Sequence, residues 1–344
     1  MKSERLQLML DTPVLQLEAM LPTLAEIHQA AELVYHFMPP TPQYHWPQID
    51  QRAGAEVWIK HENHNPVGAF KLRGGIVYMD WLRREHPEVT TVISATRGNH
   101  GQSIAFAAAR AGLRSVIVVP HGNSVEKNRA MCCLGAELIE HGDDFQAAVE
   151  HVKYLAAENG WHRVPSYDIR LVAGVATWAL EFFVAAPPLE VLYVPIGMGT
   201  GIAGAVAARD ALGLSTEIVG VTSTLAPATA LSFAARHVVE YPATTKIADG
   251  VACRTPDPAA LAVFLKGVSR IVEVADEEVA EAMRIYFSHT HNVAEGAGAA
   301  GLAALLKDRA VGNTLGGSRL GTALCGGNVD SNVFAAVLAG AEIR

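Results

Sequence analysis

The apolar positions change rhythm as the chain is read from its start. Between residues 13 and 35, Leu15, Leu17, Met20, Leu21, Leu24, Ile27 and Leu33 recur at spacings that suit one face of a helix. Met38-Pro39-Pro40-Thr41-Pro42 ends it, because proline lacks an N–H and restricts the residue before it. Beyond that break, short apolar runs alternate with alanine-rich segments. Residues 57–60, 91–94, 115–120, 191–195, 217–221 and 322–324 predict buried strands, and helices are predicted to begin near Lys71, His100, Glu126, Phe145, Val175, Gly201, Asp276 and Glu295. Alternation at this spacing predicts an α/β fold of parallel sheets covered by helices, in two lobes. No internal repeat and no low-complexity linker interrupts it.

Glycine-rich sequence follows several of these strands: Thr96-Arg97-Gly98-Asn99-His100-Gly101, Gly197-Met198-Gly199-Thr200-Gly201 and Gly326-Gly327. Ligands of open α/β sheets bind outside the carboxyl ends of strands. The pattern alone therefore predicts a small-molecule crevice lined by these loops.

Composition narrows the partners. Half of the 344 residues are hydrophobic and 18% are charged, which allows a sizeable core and excludes a disordered chain. The net charge of -8 argues against nucleic acid and against an anionic membrane. No run of about 18 uncharged apolar residues exists to span a bilayer. Cys132, Cys133, Cys253 and Cys325 form no C-x-x-C pair, which fits a reducing cytosol. The first residues show no apolar core of a signal peptide, so a cytoplasmic location is expected.

Four segments can carry chemistry. The loop Gly197-Met198-Gly199-Thr200-Gly201 joins a strand to a helix start, where glycine N–H groups and about half a positive charge can cradle a phosphate; a tight structural turn is the competing reading. Its glycines do not fit the dinucleotide G-x-G-x-x-G. Lys71, in Pro66-Val67-Gly68-Ala69-Phe70-Lys71-Leu72-Arg73-Gly74-Gly75, lies among apolar and glycine residues that suggest poor hydration. A helix start with Arg73 nearby would disfavour its protonated form and make it a nucleophile, whereas an ordinary surface lysine would be solvated. Thr96 to His100 can offer backbone N–H groups, a hydroxyl and an amide to an anion, or Thr96 and Asn99 can simply cap the helix. Cys325, after the last strand, points either into the crevice or into the core.

In their order and spacing these segments resemble the fold-type II pyridoxal phosphate (PLP) enzymes, specifically the threonine and serine dehydratase branch that includes serine racemases. That branch carries P-x-G-S-F-K-x-R-G, then S-x-G-N-H, a glycine-rich phosphate loop and S/C-G-G-N. The resemblance runs from about Thr41 to Asp330 and takes in Ala248-Asp249-Gly250 and Glu295-Gly296-Ala297-Gly298. It implies two open twisted parallel-sheet lobes, like the tryptophan synthase β chain, with PLP between them. The division expected is a large PLP-binding domain of residues 1–88 and 169–344 and a small domain of 89–168.

Residue by residue, the resemblance implies that Lys71 carries PLP as a Schiff base and later takes the substrate α-proton. Phe70 would pack beside the cofactor ring, Asn99 would meet its phenolic oxygen, and Gly197, Met198, Gly199, Thr200 and Gly201 would bind its phosphate. Thr96, with the amides of Gly98, Asn99 and His100, would hold the substrate carboxylate. Cys325 would face the pyridine nitrogen, and a thiol does not keep that nitrogen protonated. The ring is then a weaker electron sink, which suits prompt loss of a β-leaving group. The activity implied is dehydration of threonine or serine to a 2-oxo acid and ammonia, in a homodimer.

Departures from the pattern bear on the substrate. Arg97 stands where relatives carry a small residue and where serine racemases use a serine as acid and base. A guanidinium does not shuttle protons, so racemisation is disfavoured. Arg97 would bind a second acidic group or the substrate carboxylate, or face outward. Ala69 replaces a common serine, Met198 and Thr200 replace glycines, and Cys253 falls where some relatives have a serine. Thr222 and Ser223 replace the Glu-Pro of metal-dependent relatives, so no metal is expected. The aromatic stretch Pro42-Gln43-Tyr44-His45-Trp46 is placed near the site entrance, or in a packed surface loop. These points keep open a bulkier or acidic 3-hydroxy amino acid, such as phenylserine or 3-hydroxyaspartate. β-Replacement is the nearest rival, but those relatives more often carry G-N-T-G where this chain has Gly98-Asn99-His100-Gly101. A ligand sensor on the same scaffold would leave Lys71 incidental. With nothing after Arg344 to add a regulatory domain, a catabolic, unregulated enzyme is expected.

Overall fold

The computed structural model describes residues 20–312 and 319–341. In chain order its strands are β1 (Gln43–His45), β2 (Glu56–His61), β3 (Thr91–Ala95), β4 (Arg114–Val119), β5 (Glu137–Glu140), β6 (His162–Arg163), β7 (Val191–Pro195), β8 (Glu217–Ser223), β9 (Arg270–Val274) and β10 (Arg319–Leu324). They form a six-stranded sheet ordered β1-β2-β10-β7-β8-β9 and a four-stranded sheet ordered β5-β4-β3-β6. All pairs are parallel except β1 with β2.

The inner strands are built for burial on both faces. Every residue of β3 is buried, as are Val191 to Val194 of β7 and all but the first residue of β10. Helices cover both sides of the larger sheet, with Ile59, Tyr193 and Val221 on one face and Leu192, Val194 and Ala323 on the other. Burying each such valine, leucine or isoleucine stabilises the fold by about 1.5–3 kcal/mol. Among the described residues no helix is long and apolar enough to cross a membrane.

The helix Lys71–Glu85 lies between the sheets and packs on two others at very short range. A Cβ on Gly74 would stand 2.9 Å from the Leu171 carbonyl of the helix Ile169–Ala185, and one on Gly75 would stand 2.2 Å from Ser103 Oγ of the helix Asn99–Arg110. The two glycines after Arg73 thus let three helices meet. The helix predicted over 13–35 runs from Leu24 to Tyr35, capped by Thr23 and Glu26; its expected start lies outside the described residues. The loops after β3, β7 and β10 all leave carboxyl ends of strands, and they converge on one crevice.

Candidate active site

Backbone stitching fixes Lys71. Phe70 N–H donates to the Cys325 carbonyl at 3.0 Å, Gly327 N–H donates to the Gly68 carbonyl at 2.9 Å, and Ala69 bridges Gly326. Asn65 braces the same loop, donating to the Ala69 carbonyl at 3.0 Å. Ser103 Oγ donates to the Lys71 carbonyl at 2.6 Å, so the contact at Gly75 also ties the lysine's backbone to the neighbouring helix. Lys71 Nζ reaches 3.2 Å from Thr200 Oγ1 and 5.3 Å from the centre of the Phe70 ring. Burial lowers its amine to about 8, against the opposing pull of Cys325 and Glu295.

Arg73 has no part in that shift. Its guanidinium is wholly buried on the other side of the helix, with Nε 2.8 Å from Glu62 and Nη1 2.6 Å from Glu181. Lys60 joins Glu181 at 2.6 Å, so two cations and two carboxylates balance. The expectation that Arg73 depresses Lys71 is corrected: desolvation does so.

The loop 197–201 has the shape of an anion cradle. Gly199 has φ +100°, and a Cβ there would meet Phe264 at 2.5 Å; one on Gly197 would meet the Gly250 carbonyl at 2.1 Å. Thr200 is the first residue of the helix Thr200–Ala211, so unpaired N–H groups and the positive end of the helix face the loop. The Phe70 ring lies over Gly201, 3.3 Å from where a Cβ would be.

On the facing lobe, Thr96 Oγ1 accepts from Gly98 N–H at 2.9 Å and from Gly101 N–H at 3.3 Å. The hydroxyl oxygen therefore caps the helix and occupies the Gly98 amide. Asn99 and His100 supply the first-turn N–H groups that the helix itself does not use. Asn99 Nδ2 donates to Glu295 Oε1 at 2.5 Å and its Oδ1 accepts from Asn328 at 2.8 Å, which leaves one amide hydrogen. The His100 ring is buried with Nε2 unpartnered; burial, and then Lys71, lower it to about 3, so it is neutral. Cys325 Sγ donates to the Ala297 carbonyl at 3.5 Å, and burial pushes the thiol far above its usual range.

Phe70, Lys71, Thr96, Arg97, Gly98, Asn99, His100, the loop 197–201 and Cys325 all line one crevice. Sequence reasoning gave no role to Lys127, a charged group that also lines it. Lys127, almost buried on the helix Val125–Cys133, lies 3.3 Å from Asp249 and 3.7 Å from Glu295, and its stem packs against Gly98. Burial raises the Glu295 carboxyl, opposed by Lys127 and by the bond from Asn99. Nothing in the flanks of Lys127 signals this placement. The aromatic stretch before Trp46 is elsewhere: Gln43 to His45 form the edge strand β1, Trp46 packs on the core, and neither lines the crevice. The motive it gave for an aryl substrate falls away.

A family model described as pyridoxal-phosphate dependent enzyme matches residues 34–326. An L-threonine ammonia-lyase of Thermotoga maritima is 30% identical over 313 residues, covering 91% of this chain and 77% of that protein. The L-threo-3-hydroxyaspartate ammonia-lyase of Saccharomyces cerevisiae is 30% identical over 323 residues, covering 93% and 98%. Among solved structures, maize serine racemase superposes with a TM-score of 0.86 at 26% identity, covering 93% of this chain and 98% of that one.

Proposed function

The chain belongs to the family of pyridoxal-phosphate dependent enzymes, and from that premise we propose that it removes water from a β-hydroxy-L-amino acid such as threonine or serine, releasing a 2-oxo acid and ammonia. The residues fit the cofactor. Gly197, Met198, Gly199, Thr200 and Gly201 offer a phosphate neutral donors and no carboxylate, and the buried, unpartnered Nε2 of His100 lines the same crevice. When bound, pyridoxal phosphate supplies a conjugated system that takes up the electron pair left as the α-proton departs.

The observation that carries the proposal is the amine of Lys71, desolvated at a helix start and held 3.2 Å from Thr200. A lysine titrating near 8 is partly neutral at cellular pH, so Nζ can bond the cofactor and receive the α-proton. Asn99 and His100 N–H groups, with the Thr96 hydroxyl, hold the substrate carboxylate. Asn99 turns its remaining amide hydrogen to the cofactor's phenolic oxygen, and Phe70 packs beside the ring. Cys325 faces the ring nitrogen with an uncharged thiol whose proton goes to the Ala297 carbonyl, so no carboxylate holds that nitrogen protonated, which favours prompt elimination over transamination. Four free cysteines support a reducing cytoplasm, and we take the enzyme to work there as a homodimer.

Purified enzyme should show a visible absorbance band that borohydride abolishes, and should release 2-oxo acid from L-threonine or L-serine without added sulfide. Lys71→Ala should lose both the band and turnover while keeping its far-ultraviolet circular dichroism. A colourless protein without cofactor by mass, or an active Lys71→Ala variant, overturns the assignment.

A further inference from the structure

A second chamber opens off the crevice. Its cavity volume is ≈ 340 Å³, and the two cavities share a neck that includes Arg97, Phe145, Met198 and Cys253. Cofactor and α-carboxylate take up the first cavity on the reading above. What remains for a substrate side chain is the neck and the chamber behind it.

The charges around that chamber are unevenly committed. Asp144 accepts from Ala147 N–H at 2.8 Å and pairs with Arg254 at 3.7 Å. Asp249 pairs with Lys127 at 3.3 Å, and Asp257 accepts from the N–H groups of Ala259 and Ala260. Every carboxylate there has a partner. The side chains of half-buried Arg97 and exposed Arg163 make neither a hydrogen bond nor an ion pair with any described residue. A guanidinium does not discard its proton, so a partly desolvated one calls for an anion, and its planar fork matches a carboxylate. The neck is mixed: Ala95, Phe145, Met198, Ala252 and Cys253 give it an apolar side, the two sulfurs 3.9 Å apart, while Arg97, Ser166 and the Lys127-paired Asp249 give it a polar one. Hydrocarbon can pass there and charge can be met at Arg97 and beyond.

We propose that Arg97, backed by Arg163, selects substrates whose side chain ends in a carboxylate, so that the enzyme acts on a dicarboxylic β-hydroxy amino acid. This deepens the dehydratase reading and rests on it. The chemistry balances without an oxidant or reductant: Cα loses a proton to Lys71 Nζ, the hydroxyl leaves Cβ with the Cβ–O electron pair and takes up one proton to depart as water, so that no net proton is gained or lost, and one water then hydrolyses the resulting imine to the 2-oxo acid and ammonia. The second carboxylate passes unchanged into a dicarboxylic 2-oxo acid. Charge, and not bulk, is the discriminating property. A phenyl group would also fit the volume, but it would leave Arg97 desolvated and unpaired.

The test compares holoenzyme kinetics on L-threonine, L-phenylserine, 3-hydroxyaspartate and 3-hydroxyglutamate. At least one acidic substrate should exceed both neutral ones in kcat/KM by roughly tenfold or more. Arg97→Leu should shrink that ratio by roughly tenfold or more, chiefly through KM of the acidic substrate, and Arg97→Lys should restore part of it. Preference for a neutral substrate, or an equal loss on both classes in Arg97→Leu, overturns the inference while leaving the dehydratase reading intact. If no substrate yields a 2-oxo acid, the dehydratase reading has failed, and ligand-induced stabilisation decides the site separately. Succinate should then raise the Tm of the protein more than butyrate does, and Arg97→Leu should erase the difference; equal effects of the two acids reject the anion site.

Discussion

Lys71 and Arg73 are two residues apart and do unrelated work. Positions i and i+2 of a helix do not face each other, so one amine enters the crevice while the other cation enters the buried network of Glu62, Glu181 and Lys60. Only desolvation remains to depress Lys71, and that has a measurable consequence. Its amine is lowered to about 8, so the neutral, nucleophilic fraction grows as pH rises through that value and saturates above it. Capture of pyridoxal phosphate by cofactor-free protein, followed by the visible band, should therefore accelerate with pH to a plateau, with a midpoint near 8. A midpoint near the ordinary lysine value would show that the amine is solvated. The lysine itself was legible from its neighbours in the sequence; the origin of its shift was not, because sequence proximity says nothing of which side of a helix a charge takes. Thr96 shows the same limit. A hydroxyl before a helix reads equally as a cap and as an anion donor, and here its oxygen is committed to the N–H groups of Gly98 and Gly101 while its proton stays available.

Among strands, what could be read was the interior of each sheet. The six predicted strands are β2, β3, β4, β7, β8 and β10, which occupy every inner position of the two sheets. The four that escaped, β1, β5, β6 and β9, are the four edges. An inner parallel strand is covered on both faces and so appears as an unbroken apolar run, whereas Glu137-Leu138-Ile139-Glu140 is half exposed and His162-Arg163 is only two residues long. Helices show a related bias: short ones such as Pro47–Ala53 and Ser331–Ala339 leave too little periodicity to detect. The helix that carries Lys71 is anchored by the charge network at its first turn. Arg73→Met removes a cation from between two carboxylates, both nearly excluded from solvent, and should cost about 3–5 kcal/mol, read as a lower denaturant midpoint. Adding Glu62→Gln should recover part of that loss if the uncompensated charge is its cause. A double variant no more stable than the single one would assign the loss to packing instead.

At the scale of the molecule, the two sheets meet through side chains that no local pattern announces. The helix Val125–Cys133 reaches across from the smaller sheet: Ser124 donates to Asp330, Glu126 accepts from Ser331, and Lys127 bridges Asp249 and Glu295. Glu295 in turn accepts from Asn99, so Lys127 sits beside the one carboxylate that orients that amide. Lys127→Met keeps a stem to pack against Gly98 and removes only the charge. Glu295 already has a raised carboxyl, and losing the nearby cation raises it further. A carboxyl whose folded value lies above its unfolded value binds more protons when folded, so its stabilising contribution is present in acid and is lost as pH rises through the folded value. The Tm deficit of Lys127→Met relative to the parent should therefore be wider in alkaline than in acid buffer, narrowing as Glu295 takes up a proton. A deficit independent of pH would mean that Lys127 contributes only its packing, and that the lobes are not held by this charge.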